Sequence, residues 1–278
     1  PPSAARIEAA LGASPPATPP KPRRIGLALG GGAARGFAHI GVVQALESAG
    51  IKVDLVVGTS AGSLVAALLA DGRTGAEMQA LALSLDESTL TDWSLPNRGV
   101  LRGDALARWV RQHTAGRPIE QMPLPLGIVA TELATGAPVL FQRGDTGLAV
   151  QASSAVPAVF QPVRIGGREY VDGGLVAPVP VRLARQMGAS HVIAVDISTP
   201  PEAGATEGTL GLLLQTFAIM GRSISQFELR EADVVLRPVL TGLAGTDFGH
   251  RVRAIRAGRE ATAAMLPQLL EKLAAPPR

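Results

Sequence analysis

Val53-Asp54-Leu55-Val56-Val57, then Gly58-Thr59-Ser60-Ala61-Gly62, then Ser63-Leu64-Val65-Ala66-Ala67-Leu68-Leu69-Ala70 form one continuous stretch. The first block is a short apolar run, the last a buried helix closed by Gly72. Between them stands a serine flanked by glycines at both second neighbours. The local reading is strand, sharp turn, helix, the setting in which G-x-S-x-G acts as a nucleophile elbow. Without Cβ atoms at Gly58 and Gly62, strand and helix approach closely while the serine takes a strained backbone conformation. Such strain exposes the Ser60 hydroxyl above a helix N-terminus that favours negative charge. Glycine-flanked serines in such turns also bind phosphate or simply redirect the chain, so the rest of the sequence must decide.

Outward from this stretch, strands alternate with helices. Ile25–Leu29 is the first strand and Gly30-Gly31-Gly32-Ala33-Ala34-Arg35-Gly36 follows at once. A helix from Phe37 to Ala49 comes next, with Phe37, Ile40, Val43 and Leu46 on one stripe and Gly50 as C-cap. Residues 75–85 and 104–115 read as helices, the second capped by Asp104. Leu126–Thr131 and Pro138–Gln142 read as strands, and Asp145 caps a short helix. Val163–Ile165 and Glu169–Val171 form a hairpin through Gly166-Gly167, which delivers Asp172-Gly173-Gly174. Val179–Met187 is helical, His191–Val195 and Val234–Leu236 are strands, and residues 207–230 hold a long apolar helix, whose segment 207–220 reads first as core packing and otherwise as the lining of an acyl site or a membrane contact. Arg251–Leu273 is amphipathic, and its Arg251, Arg253, Arg256 and Arg259 read as a solvated face or a contact for anionic headgroups. This alternation predicts an α/β domain with a mainly parallel sheet.

Composition bounds the possibilities. The 278 residues suffice for one large domain, and apolar content of 46% is ordinary for a folded chain. Residues 1–24, rich in Pro and Ala, read as a disordered tail, and 25–278 as the domain. The chain starts at Pro1 without methionine, so a targeting segment is one thing that could have been removed ahead of it. No apolar run approaches the ~20 residues of a membrane span, which predicts a soluble or peripheral protein of unassigned compartment. Cysteine is absent, which excludes disulfides, thiolate metal sites and a cysteine nucleophile. The net charge of +3 suits anionic lipid or phosphate ligands without requiring them. Six Phe, two Trp and one Tyr, with no basic run among them, argue against nucleic acid as a partner. Oligomeric state is not readable.

The chemistry rests on few residues. The Gly30 loop does not fit a dinucleotide fingerprint, because it reads G-x-G-x-x-x-G and no acidic residue ends the second strand. It can cradle a phosphate, or aim backbone N–H groups at a developing oxyanion. A serine hydroxyl needs a base. Among His39, His113, His191 and His250, none stands convincingly as a triad histidine. His250 is the one to test. Asp172, between a strand end and two glycines, can serve as base directly, although Asp-Gly is also a common turn pair. Asp196 is the second acidic candidate, and Asp54 reads as a strand residue without access to the site.

Taken together, Gly30–Gly36, Gly58–Gly62 and Asp172–Gly174 resemble, in order and spacing, the three signatures of patatin-like phospholipases. Ala152–Val163 resembles a further block of that family. The similarity is strongest over residues 25–200 and points to the compact bacterial members. The resemblance implies a three-layer α/β/α fold and a serine acyl hydrolase of lipase, phospholipase or lysophospholipase type. It implies a catalytic dyad of Ser60 and Asp172, an oxyanion hole from Gly30, Gly31 and Gly32, and Arg35 shaping that loop. It implies no metal and no cofactor, and a lipid or ester substrate with peripheral membrane contact. One departure is Ala33, where the family often has another glycine. Two other readings stay open: a non-catalytic module binding phosphate or lipid headgroups, and a histidine-dependent carboxylesterase. Phospholipid, lysophospholipid, neutral lipid and short-chain ester all remain compatible as substrate.

Overall fold

The computed structural model describes residues 23–85, 103–198, 208–243 and 248–276. The Pro-rich stretch 1–22 and the segment Trp93–Arg102, whose Pro, Asn and Gly mark it in the sequence as a surface loop and a candidate lid or substrate-facing segment, lie outside the described residues. Arg23 and Arg24, assigned to the tail by composition, are already tied to the domain. The Arg24 N–H donates to Ser190 Oγ at 2.9 Å, and Arg23 Nη1 donates to Leu273 O at 3.2 Å.

Eight strands form one sheet: β1 (Ile25–Leu29), β2 (Leu55–Thr59), β3 (Leu126–Glu132), β4 (Pro138–Phe141), β5 (Val163–Ile165), β6 (Arg168–Asp172), β7 (His191–Val195) and β8 (Val234–Leu236). The order is β5-β6-β3-β2-β1-β7-β8, with β4 on the other edge of β3. From β3 to β8 the strands are parallel, and β4, β5 and β6 run antiparallel to their neighbours. Among the described residues the α-helices are α1 (Phe37–Ser48), α2 (Ala61–Ala70), α3 (Gly75–Ser84), α4 (Asp104–His113), α5 (Thr146–Ser153), α6 (Val181–Gln186), α7 (Gly208–Glu228) and α8 (Arg251–Ala274).

Strand alternation divides the core into two faces. Leu27, Leu29, Val56, Ile193 and Val195 point to the face covered by α1, α2 and α8. Ala28, Leu55, Val57, Val192 and Ala194 point to the opposite face, where Val181 and Ala184 of α6 pack. The result is three layers, helix on sheet on helix. Helix α8 is fitted onto α1 through two glycines. A Cβ at Gly258 would stand 2.0 Å from Ala38 O, and one at Gly41 would stand 1.8 Å from Ile255 O. Backbones that close leave no room for any side chain at the crossing.

Two expectations need correction. Asp104 is the first residue of α4, whose N-cap is Gly103 with φ 72°. Helix α7 is not a core helix. Leu212, Ile219, Met220 and Phe227 are all exposed, and only Ser225 and Glu228 near its C-terminal end are buried. That end is held by Glu228, which accepts from Arg182 N at 3.1 Å and pairs with the Arg182 guanidinium. The arginine-rich start of α8 is a solvated face, with Arg253, Arg256 and Arg259 exposed, and several of its arginines also bond to the protein. Arg251 donates to Ala82 O and Leu85 O, Arg253 to Thr241 O and Arg259 to Gln44 Oε1.

Candidate active site

Strand β3 brings the two ends of the site together. Along one edge its first half pairs with β2, ending at Thr59 opposite Val129. The next residue, Ala130, pairs on that edge with Asp172 of β6. Strand β2 leaves the sheet at Ser60 and β6 takes its place. Residues 112 positions apart in sequence thereby become neighbours.

At Ser60 the backbone has φ 52° and ψ −123°, a conformation L-residues rarely adopt. The glycines on either side make the turn sterically feasible. A Cβ at Gly58 would lie 2.4 Å from Gly62 O, and one at Gly62 would lie 2.2 Å from Leu29 O. Hydrogen bonds hold the strained geometry. Ser60 N–H donates to Ser153 Oγ at 2.8 Å, and the Ser153 hydroxyl donates onward to Val129 O. Ser60 O accepts from Ser63 N at 2.8 Å and Ser63 Oγ at 2.6 Å. Ser153 lies within the Ala152–Val163 block but does not stand out in the sequence. Its role becomes visible only once α5 is placed beside the turn.

Asp172 is 7% exposed and its carboxylate accepts hydrogen bonds from the Ser60 hydroxyl and from Gly174 N, the latter at 2.7 Å. Its backbone is fixed by Thr131 Oγ1 donating to Asp172 O at 2.8 Å and by Asp172 N donating to Ala155 O at 3.0 Å. Burial dominates and raises the carboxyl to about pKa 6, although both hydrogen bonds favour the ionised form. Asp196, the other acidic candidate, instead accepts from Ser198 N and Oγ, and Asp54 accepts from Ile25 N at 2.6 Å.

The glycine loop folds against the serine: a Cβ on Gly31 would sit 3.2 Å from Ser60 Cβ. Its amides are not all available. Gly30 N–H donates to Val195 O at 3.1 Å and Gly31 N–H to Pro178 O at 2.9 Å. The expectation that these two amides face the reacting oxygen therefore fails. Gly32 and Ala33 carry the next amides, at a bend where Ala33 has φ 50°. Arg35 follows in a 3₁₀ turn, Ala33–Gly36, and lines the cavity beside the loop. The fully buried His39 braces the loop from below, its Nε2–H donating to Gly30 O at 2.7 Å. Burial pushes that imidazole down to about pKa 4, against the opposing effects of the Gly30 bond and the Asp196 charge, so it is neutral at pH 7.

Ser60 and Asp172 open into a cavity of about 680 Å³ with predominantly apolar walls, including Leu64, Leu68, Met78, Phe160 and Leu214. Among the described residues no histidine lines it. His191 bonds to Ala275 O at 2.9 Å, and His113 stacks on Trp109 with centroids 4.0 Å apart. His250 is exposed at the N-cap of α8.

Comparison with known proteins places this geometry. A patatin-like phospholipase family model matches residues 27–185. An uncharacterized NTE family protein of Mycobacterium tuberculosis is 37% identical over 205 residues, covering 73% of this chain and 57% of that protein. Mouse patatin-like phospholipase domain-containing protein 6 is 35% identical over 186 residues, 64% of this chain and 14% of its own length. This chain thus spans little more than half of the mycobacterial relative. Among solved structures, VipD from Legionella pneumophila superposes with a TM-score of 0.60 at 17% identity, covering 88% of this chain and 67% of VipD. ExoU in its complex with SpcU from Pseudomonas aeruginosa gives 0.51 at 19% identity, covering 92% and 53%. The family model that matches residues 27–185, more than half of the chain, makes this chain a member of the patatin-like phospholipase family, with its G-x-S-x-G at the end of β2 and its Asp-Gly-Gly at the end of β6.

Proposed function

We propose that the protein hydrolyses acyl esters of lipids, with Ser60 as nucleophile and Asp172 as its general base. The observation that carries this reading is the Ser60 hydroxyl bonded to a buried carboxylate at the head of an apolar cavity. As Ser60 Oγ attacks the ester carbonyl carbon, its proton passes to Asp172. The carbonyl oxygen becomes an oxyanion facing the Gly32 and Ala33 amides, donors of a kind worth ~3 kcal/mol each. Collapse of the tetrahedral intermediate breaks the carbon–oxygen bond, and the departing alkoxide takes the proton from Asp172. Water, deprotonated by the same carboxylate, then attacks the acyl-enzyme and releases the fatty acid and free serine.

The apolar cavity suits an acyl chain, and α7 suits the surface from which that chain comes. Leu214 and Phe217 of α7 line the cavity while Leu212, Ile219 and Met220 face outward. No acidic residue occurs between Gly208 and Phe227. An apolar helix without negative charge at the rim of an acyl site fits a lipid bilayer as its occupant. The cavity without histidine leaves the carboxylesterase alternative without a base, and His250→Ala should retain turnover.

A fluorophosphonate probe and a series of p-nitrophenyl esters of increasing chain length test the mechanism. Wild-type protein should be labelled at Ser60 and turn over the esters, and Ser60→Ala should do neither. Full activity in that variant would overturn the proposal.

A further inference from the structure

A second pocket adjoins the acyl cavity, and its chemistry is different. Its volume is about 530 Å³, and Ser198, Arg222 and Ser225 line both spaces. Arg230 and Arg237 line the second one, so three arginines border it with, among the described residues, one carboxylate, Asp196, and the Arg230 guanidinium also lies 5.2 Å from the centroid of the Phe227 ring. Asp196 is already engaged by the Ser198 N–H and hydroxyl at 3.0 and 2.7 Å, and Arg237 Nε approaches it to 3.6 Å. Arg222 takes part in none of the ion pairs among the described residues. Glu228, on the same helix, does not line the pocket because it is committed to Arg182.

Ser225 is the more telling residue. It is 3% exposed, lines the pocket, and its Oγ has no hydrogen-bond partner among the described residues. A buried hydroxyl without a partner costs stability unless a ligand completes it. Gly221, one turn earlier on the same face of α7, fixes the position. A Cβ there would stand 3.6 Å from Pro178 Cγ and 3.8 Å from Gly174 O, so the helix rests on the turn that follows Asp172. The arginine pocket is therefore adjacent to the catalytic end of the acyl cavity.

We infer that this pocket binds the phosphate group of the substrate and selects anionic glycerophospholipids over zwitterionic ones, Arg222, Arg230, Arg237 and Ser225 Oγ supplying the donors. This rests on the acyl-ester reading of the neighbouring cavity. A glycerophospholipid has its ester carbonyl a few bonds from a phosphate, which is the spacing two adjoining pockets with a shared wall accept. Arginine forks match phosphate oxygens in two-point contacts. A choline head would bring its cation beside three arginines, and the only carboxylate among the described residues of the pocket, Asp196, is engaged by Ser198.

Dihexanoyl phosphatidic acid and dihexanoyl phosphatidylcholine, both kept monomeric so that surface recruitment does not enter, test the inference. Wild type should favour the phosphatidic acid in kcat/KM by about tenfold or more, and Arg222→Gln with Arg230→Gln should collapse that ratio mainly through KM. Ser225→Ala, which removes only the hydroxyl, should lower the ratio to a smaller extent. Glycerol 3-phosphate should compete with the phosphatidic acid more strongly than inorganic phosphate does. Equal use of the two lipids by wild type, or an unchanged ratio in the double variant, overturns the headgroup site while leaving ester hydrolysis in place. Binding of inorganic phosphate with no effect of the arginines on the lipid ratio also overturns it, in favour of a free-phosphate site. Absence of both fluorophosphonate labelling and turnover of any ester would instead remove the hydrolase reading, and this inference with it.

Discussion

Asp172 carries two consequences of one burial. In the proposed role of general base it must be ionised, so kcat/KM for a soluble ester should rise with pH along an acid limb centred near its pKa of about 6. For stability the sign is opposite. The folded protein holds this proton more tightly than the unfolded chain, whose aspartate titrates near 3.8. Folding stability contributed by the protonated form is present below pH 4 and is lost as the pH rises to about 6. Asp172→Asn removes the buried charge while keeping an acceptor for Gly174 N–H. It should abolish turnover yet raise stability at pH 8 by up to about 3 kcal/mol, with little change at pH 4, measured by urea unfolding. Retention of the acid limb in that variant would place the base elsewhere. What was legible at this scale was local. Gly58 and Gly62 announce the elbow because the clash they avoid lies within a few residues. Which amides of the loop are engaged could not be read, since Gly30 and Gly31 donate to the carbonyls of Val195 and Pro178, far along the chain. Ser153 was missed as a support for the same reason, whereas the position of His39 within the first helix already pointed to a buried structural role, which it has.

Helix α7 shows where element-level reading stops. Its apolar composition correctly marks a helix, but residues apolar on nearly every side do not say which side meets protein. The sheet of this domain is already covered, and α7 packs through its C-terminal half, where Gly221 rests on the turn after Asp172 and Ser225 and Glu228 are buried. Leu212 is 58% and Met220 53% exposed, so replacing both with serine should leave the fold intact by circular dichroism. If these side chains insert into lipid, each transfer is worth ~1.5–3 kcal/mol, and the double variant should lose about tenfold or more in partitioning onto anionic vesicles by co-sedimentation. Unchanged partitioning would assign the exposed face to another occupant, with self-association by analytical ultracentrifugation the first to examine. The strands pose the reverse case. β2 was legible as an apolar run but lies at Leu55–Thr59, two residues later than Val53–Val57, because Asp54 is used to accept from Ile25 N.

For the whole molecule, the family match ends at residue 185 while the fold does not. β7 lies between β1 and β8 inside the sheet, and α8 supplies Ile255, Leu269 and Leu273 to the main core. The alternation of strands and helices made the three layers legible, whereas the transfer of one edge of β3 from β2 to β6 was not, because pairing partners are not written in local pattern. Nor was the seat of α8, which depends on two glycines more than 200 positions apart meeting at one crossing. Gly41→Ala and Gly258→Ala each force a methyl group against a backbone carbonyl that cannot yield. Each should destabilise the domain by ~3 kcal/mol or more, read from denaturant unfolding. Once one substitution has pushed the helices apart, the second meets less resistance, so the double variant should cost clearly less than the sum of the singles. Strict additivity would mean that the two helices relax independently and that the crossing does not hold the C-terminal third of the domain in place. Loss confined to α8, seen as fast amide exchange in residues 251–274 with the sheet protected, would show instead that the sheet stands without its cover.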